Sequence, residues 1–345
     1  MPIPVKPLPT EDLDHVLAHT QGLWEELRGQ RIFITGGTGF FGCWLLETFC
    51  HANDQLNLGA QAVVLSRNSA RFAGKAPHLA NHPAIRLHPG DVMSFEFPTG
   101  RFGCVIHAAI DYCAPLELFV NAVEGARRTL EFAVQSGARR YLLTSSGAVY
   151  GKQPPELIHL PEDYLGAPET TQLRTAYGEA KRASEFLCAA YHGKYDLHTV
   201  IARGFAFVGP YLPLDQGSAI GNFIADAMKG GTIRVNGEGT PMRSYLYGAD
   251  LAVWLWTILL RGSPSHPYNV GSETAYSISQ VAQIVADEVN PKAEIIFAQQ
   301  PNPGKPPERY VPSTRRAHSE LALASWIDVR EGVRRTAAWN SNLLE

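Results

Sequence analysis

The segment "YGEAK" spaces the Tyr177 phenol and the Lys181 ammonium four residues apart. On a helix that spacing puts both side chains on one face. A neighbouring positive charge favours phenolate, so Lys181 is expected to draw the Tyr177 pKa down towards working pH and make the phenol a general base. About thirty residues earlier, "TSSGAVYG" ends an apolar run in hydroxyls. With 13 tyrosines in the chain, a Tyr-x-x-x-Lys pair is expected about once by chance. Alone it reads as a solvated helix pair, and the elements around it must decide.

Those elements begin with "RIFIT", a short β-branched and aromatic run that reads as a buried parallel strand. It is followed by Gly36, Gly39 and Gly42, and then by "FGCWLLETFCHA", which is apolar at helical spacing. A Gly-rich strand-to-helix turn can bring backbone N–H groups and a helix N-terminus up to a pyrophosphate. Further strands are expected at 61–67, 84–92, 104–109, 141–146 and 199–209, with helices between several of them. "LELFVNAVEGARRTLEFAVQSG" is one such helix, closed by a glycine. The alternation implies an α/β fold with a Rossmann-like doubly wound parallel sheet. Residues 11–28 carry apolar positions close to helical spacing and are expected to form one amphipathic helix ahead of the first strand.

Beyond Gly209 proline and glycine are more frequent and elements shorter, as in a smaller C-terminal α/β substrate lobe. The expected division is an N-terminal helical extension (1–29), a dinucleotide-binding domain (30–209, with parts of 244–275 threading back) and a second lobe (210–345). The two lobes should share a cleft at the C-terminal strand ends. "QQPNPGKPPERYVP" is expected to be a Pro-rich loop.

The 345-residue chain is 45% hydrophobic with a net charge of −3, which excludes the basic footprint of a nucleic-acid or anionic-membrane binder. Its longest apolar run, "LAVWLWTILL", is about half a bilayer span, so it is expected to be a buried helix. Five cysteines without a CxxC pair, and no signal peptide, point to reduced thiols and a cytoplasmic protein. Cys43 and Cys188 fall on apolar helix faces. His107, ending a strand, reads as a hydrogen-bonded core residue, and no histidine has metal-ligand spacing. Cys113, in "DYC", is placed near the cleft by position alone.

The glycine turn, "GDV", "HAA", the Ser-rich strand end and Tyr-x-x-x-Lys occur in one order. Together they resemble the extended short-chain dehydrogenase/reductase superfamily, in its NAD(P)-dependent nucleotide-sugar epimerase/dehydratase branch, over residues 31–323. The resemblance implies that Gly36, Gly39, Phe40, Phe41 and Gly42 border the pyrophosphate, Asp91 and Val92 the adenine, and Ala108 and Ala109 the nicotinamide ribose region. It implies a triad in which Ser146 bonds a sugar hydroxyl, Tyr177 takes its proton and Lys181 holds the nicotinamide ribose. "RGFAFVGP", "GNFI", "VNGEGTPMRSYLYGADLA" and "PERYVPS" look like the branch's nucleotide-diphosphate site, with Asn222 on the phosphate or sugar and Arg243 and Arg309 clamping the diphosphate.

NAD sites usually place an acid at the end of the second strand, whereas Ser66 and Arg67 stand there in this chain, which favours NADP over NAD. Relatives pair through two long helices, here 116–135 and 175–191, so a homodimer is expected. Leu118, Phe119, Phe186 and Leu187 are available for that contact or for the sheet. The outline is similar to UDP-glucuronate decarboxylases and sugar 4,6-dehydratases. Relatives that eliminate water carry an Asp-Glu pair after the catalytic Ser/Thr, and decarboxylases keep the Glu; here Gly147 and Ala148 occupy those positions. Neither moves a proton, so a nucleotide-sugar epimerase is the first expectation, and a dehydratase, decarboxylase or keto-sugar reductase the next. The reading of another class is a silent dinucleotide sensor, which has no need of Ser146, Tyr177 and Lys181 together.

Overall fold

The computed structural model describes residues 4–341 apart from 215, 216, 303 and 305. Helix α1 (Thr10–His19) precedes the first strand. The chain then runs β1 (Arg31–Thr35), α2 (Phe40–Gln55), β2 (Gln61–Ser66), α3 (Ser69–Lys75), α4 (Pro77–Ala80), β3 (Ile85–Pro89), β4 (Cys104–His107), α5 (Pro115–Gln135), β5 (Arg140–Ser146), α6 (Ala176–Tyr195) and β6 (His198–Gly204). Next come β7 (Phe207–Val208), α7 (Ala219–Met228), β8 (Ile233–Val235), β9 (Met242–Arg243), β10 (Leu246–Tyr247), α8 (Gly248–Arg261) and β11 (Pro267–Val270). The chain finishes with β12 (Tyr276–Ser277), α9 (Ile278–Val289), β13 (Ile295–Phe297), β14 (Arg309–Tyr310), α10 (Arg315–Leu321) and α11 (Val329–Asn340).

Seven strands form one parallel sheet in the order β11-β6-β5-β4-β1-β2-β3. Successive side chains on a strand point to opposite faces, and both faces are buried. Ile32 and Ile34 of β1 join a core with Trp44 of α2 and Leu255 of α8, while Phe33 joins one with Leu130 of α5 and Cys188 of α6. The chain winds from β1 to β2 and β3 in one direction and to β4 and β5 in the other. That reversal opens a crevice beyond the C-terminal ends of β1 and β4.

The run read as a buried helix is α8, every residue of which from Gly248 to Leu260 is buried. It lies under the sheet, and β11 after it pairs with β6. The remaining short strands form a β12-β9-β14 sheet and a β8-β13 pair, while β7 pairs with β10.

Several boundaries differ from expectation. The single helix expected over 11–28 is broken: α1 stops at His19, Gly22 takes a positive φ of 76°, and a 3₁₀ turn follows at Trp24–Leu27. The break lets Trp24 and Leu27 turn into the core. The run over 199–209 is two strands, because β6 leaves the main sheet at Gly204 before β7 pairs elsewhere. The strand expected over 84–92 ends at Pro89, where the chain turns through Gly90. Pro303 and Lys305 of the expected Pro-rich loop lie outside the described residues.

Candidate active site

The glycine turn is built against β4. Gly36 has φ 71°, and a Cβ there would stand 2.4 Å from the Ala108 carbonyl carbon and 2.6 Å from the Ala109 nitrogen, so only glycine fits. This close approach brings Gly36, Ala108 and Ala109 together at the crevice. Gly39 is the N-cap of the 16-residue α2 and supplies no capping side chain, so the first-turn N–H groups, those of Phe40, Phe41 and Gly42 among them, are left for a ligand. A Cβ on Gly39 would meet only the Gly36 oxygen, at 3.5 Å. This open cradle at a helix N-terminus fits a dinucleotide pyrophosphate. The Phe41 ring turns away and packs edge-on against Phe207, 5.0 Å between centroids.

Asp91 and Val92 follow β3. The Asp91 carboxylate accepts from the Met93 N–H at 2.9 Å, closing its own turn, and Val92 packs against the core under α5. Ser66 ends β2 buried, while Arg67 donates to both oxygens of Asp111 at 2.8 and 3.3 Å. The guanidinium on which the NADP expectation rests is therefore engaged by a carboxylate.

Ser146 ends β5, and its Oγ accepts from the Ala148 N–H at 3.1 Å. Tyr177 and Lys181 both lie in the first turns of α6, which packs on β5. Lys181 Nζ donates to the Thr144 carbonyl at 2.8 Å and sits 5.8 Å from the centre of the Tyr177 ring. The three side chains thus lie together, but burial opposes the lowering of the Tyr177 pKa expected from Lys181. Burial pushes the Tyr177 pKa up, Tyr112 adds to the rise, and Ser146 beside the phenol opposes it. Burial also pushes Lys181 down, to about 8, against the attraction of Glu185. One of the three ammonium N–H groups goes to the Thr144 carbonyl, and desolvation is the largest influence on the phenol.

Two tyrosines missed in the sequence complete the centre. The Tyr310 hydroxyl lies 3.5 Å from Ser146 Oγ, its ring 4.6 Å from that of Phe205, and burial raises its pKa to about 12. It belongs to the "PERYVPS" stretch from which only Arg309 was chosen. The Tyr112 ring lies 5.9 Å from that of Tyr177, within the "DYC" tripeptide from which only Cys113 was chosen. Cys113 itself is exposed. His107 is buried, with Nδ1 2.8 Å from Thr35 Oγ1, and burial lowers its pKa to about 3.

Arg243 pairs in register with Tyr310, its guanidinium 5.9 Å from the Tyr310 ring centre. Arg309 pairs with Met242 on the adjacent strand. Asn222 lines a neighbouring cleft of about 600 Å³ with Phe223, Arg234, Asn236, Gln299 and Glu308. Glu308, on the wall of that cleft, is two residues before Tyr310, whose hydroxyl reaches Ser146.

The sheet, its crevice and the glycine turn define a Rossmann-type dinucleotide-binding enzyme. The chain belongs to the NAD dependent epimerase/dehydratase family, whose model matches residues 32–271. It is 30% identical over 311 residues to UDP-glucuronic acid decarboxylase 5 of Arabidopsis thaliana, covering 88% of this chain and 87% of the relative. Its fold is similar to that of a UDP-glucose 4-epimerase of Thermotoga maritima, with a TM-score of 0.75, 19% identity, and coverage of 91% of this chain and 100% of the other. It is also similar to a dTDP-glucose 4,6-dehydratase of Streptomyces venezuelae solved with NAD bound, at TM-score 0.74 and 22% identity, covering 90% and 96% of the two chains. Among the described residues no helix is long and apolar enough to cross a membrane.

Proposed function

We propose that this enzyme epimerises a nucleotide-diphosphate sugar through a transient keto sugar. Ser146 orients the reacting hydroxyl and Tyr177 accepts its proton. Lys181 holds the nicotinamide ribose, and Asn222, Arg243 and Arg309 hold the nucleotide diphosphate beside the cleft. A bound dinucleotide would supply hydride acceptance and return. Tyr177 then returns the proton once the opposite face of the carbonyl has been reduced.

The observation that carries this reading is at position 147. A Cβ on Gly147 would stand 2.7 Å from both Phe205 Cζ and the Tyr310 hydroxyl, so an acid at that position would have to displace both rings, and Ala148 after it carries none. Without one, the centre has hydroxyls suited to oxidation and reduction at one carbon and lacks the acid that an elimination calls for. A second reading, decarboxylation, is favoured by the curated relatives, which are UDP-glucuronic acid decarboxylases. Oxidation at C4 of a sugar acid makes a β-keto acid, which can lose carbon dioxide without a carboxylate base.

Incubation with UDP-, GDP-, CDP- and dTDP-sugars, read by mass spectrometry and NMR, tests the proposal. A product isobaric with its substrate and inverted at one carbon supports it. Loss of water or carbon dioxide overturns it, and no turnover with any donor leaves the sensor reading. The exposed apolar side chains Leu116 and Val120 of α5 and Phe186 of α6 support a homodimer through these helices, whereas Leu118 is buried within one protomer. We also infer a cytoplasmic setting, supported by the five free cysteines.

A further inference from the structure

Arg67 and Asp111 stand on opposite flanks of the cofactor crevice. Arg67 directly follows β2 and Asp111 follows β4, and β1 with its glycine turn lies between these strands. Their side chains nevertheless meet as a two-pronged ion pair, 2.8 and 3.3 Å. Asp91, at the turn after β3, also acts on the guanidinium, and both carboxylates raise the Arg67 pKa, the Asp111 hydrogen bond most. The corner where the second strand ends therefore holds one cation engaged by a carboxylate.

That corner is where a Rossmann fold reads the adenosine ribose. The sequence lacks an acid at the end of β2, but the structure returns one there from β4. We propose that Asp111 selects NAD over NADP: its carboxylate engages and neutralises Arg67, denying a 2′-phosphate its cation, while leaving the neutral 2′-hydroxyl of NAD unopposed. The inference rests on the dinucleotide reading above and is independent of which sugar reacts. The pair is solvent-accessible, with side-chain exposures of 62% and 44%, so its replacement leaves the core intact.

Titration of dinucleotide-free protein with NAD and NADP, followed by calorimetry, tests it without any turnover. Wild type is expected to bind NAD more tightly. Asp111→Asn should lower the ratio of the NADP to the NAD dissociation constant by at least about tenfold, the effect of roughly one unit charge within a few ångströms at an accessible site. Adding Arg67→Ala to Asp111→Asn should abolish that gain, because the freed guanidinium is what meets the phosphate. Thermal melts of the variants should match wild type. Tighter wild-type binding of NADP, or a ratio unchanged within twofold in Asp111→Asn, overturns the proposal. Failure of wild type to bind either dinucleotide overturns the cofactor reading itself and is told apart by that result.

Discussion

Gly147 and Tyr310 are 163 residues apart, yet the hydroxyl of Tyr310 occupies the space into which a side chain at 147 would project, 2.7 Å from its Cβ. Gly147→Asp, the change that would place an acid after Ser146, is therefore expected to force Phe205 and Tyr310 from their positions. Such overpacking costs about 1–3 kcal/mol. Urea unfolding should show the loss, and Tyr310→Gly in the same chain should recover part of it. Equal stability of Gly147→Asp and wild type would show that the phenol yields freely.

Tyr177→Phe retains the ring and removes the proton acceptor. Turnover is expected to fall by about 10²–10⁴-fold, with dinucleotide binding and the melting profile unchanged. Activity retained within a few-fold would dismiss Tyr177 as the base.

Lys181 carries a folded pKa of about 8, below its ordinary 10.5. Its ammonium is present below that pH and lost above it, so turnover and dinucleotide affinity should both fall as pH rises through about 8. Stability should move the other way. Between about 8 and 10.5 the unfolded chain holds the proton more firmly than the folded one, so this site's contribution improves with rising pH. A flat profile of turnover to pH 9.5 would contradict the role given to the ammonium.

Asp12 of α1 is fully buried, accepting from Tyr247 at 2.7 Å and from Arg335 of α11 at 2.6 Å. Asp12→Ala leaves the buried Tyr247 phenol without its acceptor, while the Arg335 guanidinium keeps Glu331 and Glu11. The expected loss is about 1–3 kcal/mol, measurable by denaturant unfolding. Asp12→Asn, which keeps an acceptor, should cost less.

Phe186 of α6 is 73% exposed, and Leu116 and Val120 of the neighbouring α5 are exposed as well. Phe186→Glu should reduce the solution mass from a dimer to 37.8 kDa by light scattering at micromolar concentration. A wild-type protein already at that mass would remove the dimer.

What the sequence by itself determined is what the backbone period and local covalent geometry encode. Alternating strand and helix patterns give the doubly wound sheet, and Gly36 to Gly42 mark a turn that can approach β4 closely. Four-residue spacing sets Tyr177 and Lys181 on one face of α6, because residues on one helix share its 3.6-residue repeat. Contacts between distant segments have no such period. Nothing in "PERYVPS" says that Tyr310, rather than its neighbour Arg309, comes to Ser146, since the direction of a two-residue strand is set by its pairing with β9. Nothing in "LSRN" says that Arg67 meets a carboxylate arriving from β4. Even the sign of the Tyr177 shift was decided by tertiary structure. The sequence supplies the ammonium nearby, but packing determines how much water is removed from the phenol, and desolvation is the larger effect.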